Sequence, residues 1–190
     1  MTADALLTPS DPGDVGVDAQ QLERAASLVD GHIGTGDISA ASLFVARRGK
    51  CVLSRGFGRL RPEAGSASVD GDSIFLLASI TKPVTACAMM LLVDEGLISL
   101  DDKVQQHLPE FVGWDKSSIT VRQILSHISG MPDMLPQNTA LRHAHRPMSA
   151  FVEGALRTKL LFESGTDFSY QSKGILLAAE IVERITGQRL

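Results

Sequence analysis

Residues 76–100 read LLASITKPVTACAMMLLVDEGLISL, with a serine and a lysine three positions apart near their start. A helix over this stretch places Ser79 and Lys82 on one face, one turn apart, so the lysine amine can reach the serine hydroxyl. A serine hydroxyl is a poor nucleophile by itself, but a neighbouring amine kept partly neutral by burial can take its proton during attack. The spacing therefore predicts Ser79 as a nucleophile and Lys82 as its partner.

The residues after this pair predict a long helix that runs to Glu95. Pro83 is tolerated in a first turn, where its missing N–H is little needed. Met89 to Val93 are all apolar, so the helix is apolar on almost every side and is predicted to be buried and central. A tetrapeptide S-x-x-K alone more often marks a solvated first turn. A lysine at the mouth of a buried helix, however, needs a partner or a function.

Composition limits the class of protein. The chain has 190 residues, 44% of them apolar and 21% charged, which is ordinary for one soluble domain with a sizeable core. A net charge of -4 gives no reason to expect nucleic acid or an acidic membrane as partner. Neither a basic leader nor a run of transmembrane length is evident, so a cytoplasmic location is expected. Cys51 and Cys87 have no metal spacing and are predicted to be free thiols.

Periodicity predicts an α+β architecture. Asp18 and Gln21 form a capping box before an amphipathic helix that ends near Gly34, and residues 41–46 and 51–57 form a β-hairpin. Thr120 with Gln123 caps another short helix. We expect an extended lead-in over residues 1–16, a sheet region built from 17–83 and 173–190, and a mostly helical region over 84–172.

Two further segments join residues 76–100 in a family resemblance: LSHISGMP at residues 125–132 and GTDFSYQSKG at 165–174. In this order they resemble the serine β-lactamase and penicillin-binding-protein superfamily, nearest to its class C-like branch of esterases, D-amino-acid peptidases and β-lactamases. The resemblance covers roughly residues 15–190 and the N-terminal half to two-thirds of the family fold. It implies a β-lactamase/transpeptidase-like fold, in which a sheet layer with terminal helices packs beside a mostly helical region.

The resemblance also implies residue roles. Ser79 corresponds to the acylated nucleophile, Lys82 to the lysine that helps deprotonate it, and Tyr170 to the tyrosine of a Y-x-N motif. A phenol is a weak base at neutral pH, but a cation within hydrogen-bonding range would favour the phenolate and permit proton transfer. Ser172 departs from the asparagine common in β-lactamases and has no amide to hold a substrate amide. The departure favours esters over β-lactams.

The histidines are weaker candidates for a catalytic or metal-binding role. By the resemblance, His127 in LSHISGMP is structural, hydrogen-bonded behind the site, in preference to a Ser-His catalytic role. His143 and His145 form an H-x-H pair without a third metal ligand in view. No metal or organic cofactor is expected.

The expected function is hydrolysis of small carboxylic esters through an acyl-enzyme on Ser79. β-Lactams or D-amino-acid peptides are the alternative substrates, and a non-catalytic binding or scaffold protein, or a fragment, is the alternative of another class. The family's third motif, K-T-G or H-x-G, and its C-terminal strands are not found before Leu190. We therefore expect a C-terminal half as a second chain, or self-association, to complete the site.

Overall fold

The computed structural model describes residues 7–113 and 116–190, and the chain divides into two compact units, Met1–Leu76 and Leu77–Leu190. The prediction that residues 17–83 and 173–190 form one sheet region involves both units and stays a prediction.

The first unit is a small sheet with one long helix. Its strands are arranged in the order β1-β3-β2, with β1 parallel to β3 and β2 antiparallel to it. The bounds are β1 Thr8–Pro9, β2 Ala40–Arg47 and β3 Lys50–Gly58. The predicted hairpin is therefore confirmed, with a tight turn at Arg48 and Gly49, where both residues have positive φ. Within the predicted lead-in, residues 1–6 lie outside the described residues, and β1 is followed by a 3₁₀ turn, Pro12–Val15.

Helix α1, Ala19–Thr35, begins where the capping pattern predicts. The Asp18 carboxylate accepts hydrogen bonds from the backbone N–H groups of Gln20 and Gln21, at 2.8 and 3.0 Å. These bonds satisfy two of the donors that every helix start leaves unpaired. The helix ends one residue beyond the predicted Gly34, and Gly36 provides the left-handed cap.

The described residues of the second unit form helices joined by loops, with one isolated β-bridge between Lys103 and Thr120. A 3₁₀ turn, Ala78–Ile80, leads directly into the first of six helices. Their bounds are α2 Thr81–Asp94, α3 Val104–His107, α4 Val121–Leu125, α5 Asn138–His143, α6 Met148–Leu156 and α7 Lys173–Thr186. The Thr120–Gln123 capping box is present at α4, as predicted.

The core of this unit lies where α2, α4, α6 and α7 pack together. Its fully buried apolar side chains include Met89, Phe111, Ile124, Ala155 and Ile181. Lys116 is buried with them: its ammonium donates a hydrogen bond to the Leu156 carbonyl and lies 4.9 Å from the centre of the Phe111 ring. Burial, and then the positive charge of Lys173, lower the pKa of Lys116 to about 8.

The prediction that α2 is buried on almost every side is wrong. Thr85, Met89 and Leu92 are buried, and this side of the helix packs against α7. The opposite side carries a largely exposed apolar stripe at helical spacing. The exposed fractions are 65% for Ile80, 57% for Val84 and 65% for Leu91, and Cys87 is also exposed. Composition alone shows that a helix is apolar all round but not how many of its sides have a partner.

Candidate active site

Ser79 and Lys82 are brought together as their spacing predicts. Ser79 lies in the 3₁₀ turn that leads into α2, and Lys82 lies in the first turn of α2. The Lys82 Nζ donates a hydrogen bond to the Ser79 Oγ at 3.0 Å. Ala78, directly before the serine, has a φ of 47°, a left-handed conformation that is costly for alanine and that the surrounding structure must hold. The turn therefore presents the hydroxyl beside the amine at the start of a helix.

Tyr170 reaches the same point from a segment 91 residues further along the chain. The Lys82 Nζ lies 4.8 Å from the centre of the Tyr170 ring. Hydrogen bonding of the phenol to Lys82, and then to Ser79, lowers the pKa of Tyr170, with small opposing effects of burial and of Asp133. The phenol is 45% exposed, so substrate and solvent can reach it. The structure therefore brings the three predicted site residues together, with Lys82 between the Ser79 hydroxyl and the Tyr170 ring.

The backbone on either side of Tyr170 is fixed to one residue, His127. The Ser169 N–H donates to the His127 carbonyl oxygen at 3.0 Å, and the Gln171 N–H donates to the His127 Nδ1 at 3.3 Å. The imidazole also contacts the phenol ring, with 4.8 Å between the ring centres. His127 thus holds both neighbours of Tyr170, in agreement with the structural role that the resemblance implies.

The Nδ1 atom of His127 must be unprotonated to accept the hydrogen bond from the Gln171 N–H. Burial, and then the Lys82 charge, lower the pKa of His127, while Asp133 acts in the opposite direction. A lowered pKa keeps the ring neutral at pH 7 and restricts its protonation to pH values below the usual range for histidine.

Two further residues that the sequence did not single out complete this framework. Gln171 is fully buried; its amide donates to the Ile124 carbonyl at 2.9 Å, and its Oε1 accepts from the Gly174 N–H at the start of α7. Asp133 accepts from both the N–H and the Oγ of Ser172, each at 2.8 Å. Both lie within or beside the quoted motifs, but nothing in the pattern distinguishes a buried glutamine or a bonded aspartate from solvated ones.

The loop that carries His127 has a backbone requirement at Gly130. This glycine has a φ of 79°, and a Cβ atom there would overlap the Phe162 carbonyl oxygen. Its own carbonyl accepts from the Leu161 N–H at 2.7 Å. A larger residue at this position would displace the loop that holds Tyr170.

We expect replacement of His127 to reduce turnover through the position of Tyr170. His127→Ala removes the acceptor for the Gln171 N–H and places alanine at a φ of 63°, so we expect about a tenfold loss in kcat. Asparagine tolerates positive φ and offers a carbonyl acceptor, so His127→Asn should retain most of the turnover.

The pH profile gives the control. In the natural protein, protonation of His127 turns Nδ1 into a donor that opposes the Gln171 N–H, so activity should fall as the pH drops through the lowered pKa. His127→Asn should lose this component of the acid limb. Equal losses in the alanine and asparagine variants, with an unchanged acid limb, would contradict the positioning role.

The other histidines and the thiols show no comparable arrangement. His143 ends α5, and His145 lies two residues further on with a φ of 47°. Among residues 7–113 and 116–190, no group of three His, Cys, Asp or Glu side chains is arranged to hold a metal ion. Cys51 and Cys87 are both free. No helix within the described part of the chain is long and apolar enough to cross a membrane.

The family is established by a match to the Beta-lactamase family model over residues 25–190. The chain therefore belongs to this family of serine hydrolases and has its β-lactamase/transpeptidase-like fold.

Three relatives illustrate the range of the family. The chain is 32% identical over 120 residues to penicillin-binding protein 4* of Bacillus subtilis, a match that covers 61% of this chain and 26% of that protein. It is 31% identical to a D-stereospecific amidohydrolase from Streptomyces, with a TM-score of 0.55 over 63% of this chain and 39% of that one. EstCE1, a hydrolase with promiscuous acyltransferase activity, is 22% identical and shares the fold, with a TM-score of 0.74 over 90% of this chain and 48% of that one.

The matched relatives are longer proteins. Curated relatives that match 89% of this chain are covered over only 34% of their own length, and the two solved structures above are covered over less than half of theirs.

Proposed function

We propose that this chain carries the nucleophile and proton-transfer groups of a serine hydrolase that acts on small carboxylic esters. The observation that supports this most directly is the contact of Lys82 with Ser79 at 3.0 Å, with the Lys82 Nζ also 4.8 Å from the centre of the Tyr170 ring, whose pKa Lys82 and Ser79 lower. Each of the three side chains would be ordinary on a protein surface. Their convergence from segments far apart in the chain matches the geometry of an activated nucleophile.

In the proposed reaction the Ser79 Oγ attacks the ester carbonyl carbon and forms a new C–O bond. Its proton passes to the Tyr170 oxygen, which the Lys82 charge stabilises as phenolate. When the tetrahedral intermediate collapses, the bond to the leaving alcohol breaks and Tyr170 returns the proton to the departing oxygen. Water then attacks the acyl-enzyme while Tyr170 takes its proton. The bond between the acyl carbon and the Ser79 Oγ breaks, and Tyr170 returns the proton to Oγ, which releases the carboxylic acid and free Ser79.

The position of Ser172 favours esters over β-lactams and amides. Its Oγ donates to the Asp133 carboxylate at 2.8 Å, so its one hydroxyl proton is already used within the protein. An asparagine there could donate to Asp133 and still present its carbonyl oxygen to a substrate N–H. The amidohydrolase similarity keeps amide substrates as the second candidate.

We expect Ser172→Asn to raise the rate of β-lactam acylation several-fold relative to ester turnover, because one added hydrogen bond contributes about 0.5–1.5 kcal/mol. The measurement is the ratio of rates on a chromogenic cephalosporin and on p-nitrophenyl butyrate. Ser172→Ala is the matched control, since it likewise removes the serine hydroxyl but adds no amide. Natural protein that already cleaves the cephalosporin faster than the ester would overturn the ester assignment.

We further propose that full activity needs a second segment that carries the third motif, in preference to a second copy of this chain. In proteins of this family, one hydrogen-bond donor to the oxyanion is the backbone N–H of the nucleophile, and the other comes from a strand that carries the third motif. Two observations support this: the relatives extend well beyond the matched region, and α2 exposes the apolar stripe of Ile80, Val84, Cys87 and Leu91.

The 190 residues assayed alone should therefore turn over esters about 10²- to 10³-fold more slowly than they do with that segment, the usual effect of losing one oxyanion donor. The measurement compares the chain with and without a separately produced C-terminal segment of a family relative. A segment with its third-motif triplet replaced by alanines is the control. Full esterase activity from a monodisperse 190-residue monomer would contradict the prediction, and a functional homodimer would favour self-association.

A further inference from the structure

A cavity of about 500 Å³ lies in the second unit and begins at Ser172 and Asp133. Ser172 is two residues from Tyr170, and the Asp133 carboxylate is near enough to influence the pKa of that phenol. The cavity therefore adjoins the candidate active site, although none of Ser79, Lys82 and Tyr170 lines it. A volume of this size is typical of a small-molecule binding site.

The wall of the cavity is mostly apolar. Five side chains from the loop after Asp133, from α6 and its start, and from α7 provide it: Met134, Leu135, Met148, Phe151 and Leu176. Leu135 is buried, whereas Met134 and Met148 are largely exposed and can adjust to a bound group. Such a wall favours an alkyl or aryl group.

The rim of the cavity is basic. Arg142 and Arg146 line it from the end of α5 and the turn that follows, and neither forms an ion pair among the described residues. Arg122 and Arg157, by contrast, are paired with Asp101 and Glu153 at 3.0 and 2.8 Å. Unpaired guanidinium groups at the rim are available to a carboxylate, whose shape they match with two parallel hydrogen bonds.

The acidic residue in the cavity does not cancel this charge. The Asp133 carboxylate accepts two hydrogen bonds from Ser172, and the buried Lys173, whose Nζ donates to the Thr158 hydroxyl at 3.1 Å, lies on the same wall. Counting the formal charges of Arg142, Arg146 and Lys173 against that of Asp133 leaves the cavity positive at neutral pH.

We propose that this cavity binds an apolar group that ends in a carboxylate, with the alkyl or aryl part on the methionine- and phenylalanine-lined wall and the carboxylate at Arg142 and Arg146. This proposal rests on the proposed function and names the substrate class of that function. The substrate would be an ester whose acyl or leaving portion ends, away from the ester bond, in a negatively charged group.

Octanoate is the probe, and binding is measured by NMR on protein labelled at the methionine methyl groups, which needs no turnover. The chain has six methionines, and two of them, Met134 and Met148, line the cavity. Octanoate should shift these two signals. Met89, buried in the core, and Met90, on an exposed part of α2, should not move, and they report general unfolding and non-specific adsorption.

The arginine variants test the carboxylate. Arg142→Gln/Arg146→Gln should weaken octanoate binding about tenfold and remove most of its advantage over 1-octanol. Arg122→Gln/Arg157→Gln is the matched control, because it removes the same number of exposed positive charges away from the cavity and should bind as the natural protein does.

Octanoate that fails to shift Met134 and Met148, that shifts Met90 equally, or that binds the Arg142/Arg146 variant unchanged would overturn the inference. The binding result is separate from catalysis. Ester turnover without octanoate binding would overturn this inference alone, whereas octanoate binding without Ser79-dependent turnover would overturn the proposed function and leave the site in place.

Discussion

Ser79→Ala should abolish ester hydrolysis while the protein remains folded. The Oγ is the atom proposed to form the acyl-enzyme, and no other group in the site replaces it, so we expect at least about a 10⁴-fold loss in kcat. Ser79 is exposed in the turn before α2, so removing its hydroxyl creates no cavity in the core. The measurement is turnover of p-nitrophenyl butyrate by the natural protein and the variant.

A covalent label distinguishes a lost nucleophile from a merely inactive preparation. A p-nitrophenyl phosphonate should add one phosphonyl group to the natural protein, and mass spectrometry of its peptides should locate the adduct on Ser79. Ser149→Ala, which removes an exposed serine hydroxyl at α6, is the matched control and should label and turn over normally. Turnover in Ser79→Ala at the natural rate would rule out Ser79 as the nucleophile.

Lys82→Ala and Tyr170→Phe should each lower kcat by about 10²- to 10⁴-fold, the usual effect of losing a positioned proton-transfer group. The two side chains act on one proton: Lys82 lies at 3.0 Å from the Ser79 Oγ, and hydrogen bonding to Lys82 is the main cause of the lowered pKa of Tyr170. The double variant should therefore lose much less than the product of the two single losses.

The pH dependence of the single variants provides a second measurement. With Lys82→Ala, the phenol loses the hydrogen bond that contributes most to lowering its pKa, so the pH at which Tyr170 becomes phenolate should rise. Because Tyr170 must be phenolate to accept the proton, the part of the activity profile that rises with pH should move to higher pH accordingly. Losses that multiply in the double variant, with an unmoved profile for Lys82→Ala, would show that the two residues act independently.

The local sequence was sufficient for much of the secondary structure and for the Ser79–Lys82 contact. Both depend on residues a few positions apart. These are the capping carboxylate of Asp18, the capping box of Thr120 with Gln123, and Ser79 and Lys82, separated by one helical turn. The family resemblance added Tyr170, which lies far along the chain and which helical spacing could not have connected to Ser79.

The resemblance implied a structural role for His127, but the contacts that hold Tyr170 in place were decided by the tertiary structure. His127 accepts hydrogen bonds from both neighbours of the tyrosine, Gln171 joins α4 to the start of α7, and Asp133 accepts a hydrogen bond from Ser172. The Gln171–His127, Gln171–Ile124 and Ser172–Asp133 bonds join residues that are 39 to 47 positions apart in the chain. Hydrogen bonds of this kind require two loops to meet in space, and a polar residue in a loop has the same appearance in the sequence whether it is bonded or solvated.

Which side chains are buried was also determined partly by the sequence and partly by the tertiary structure. The sequence by itself determined that α2 is a strongly apolar helix with Ser79 and Lys82 at its start. Only the tertiary structure decided that Met89 faces α7 while Leu91 faces outward, and that a lysine, Lys116, lies in the core against Phe111. The physical reason is that side-chain composition sets the free energy available from burial, whereas the packing partners decide which sides of a helix are actually removed from water.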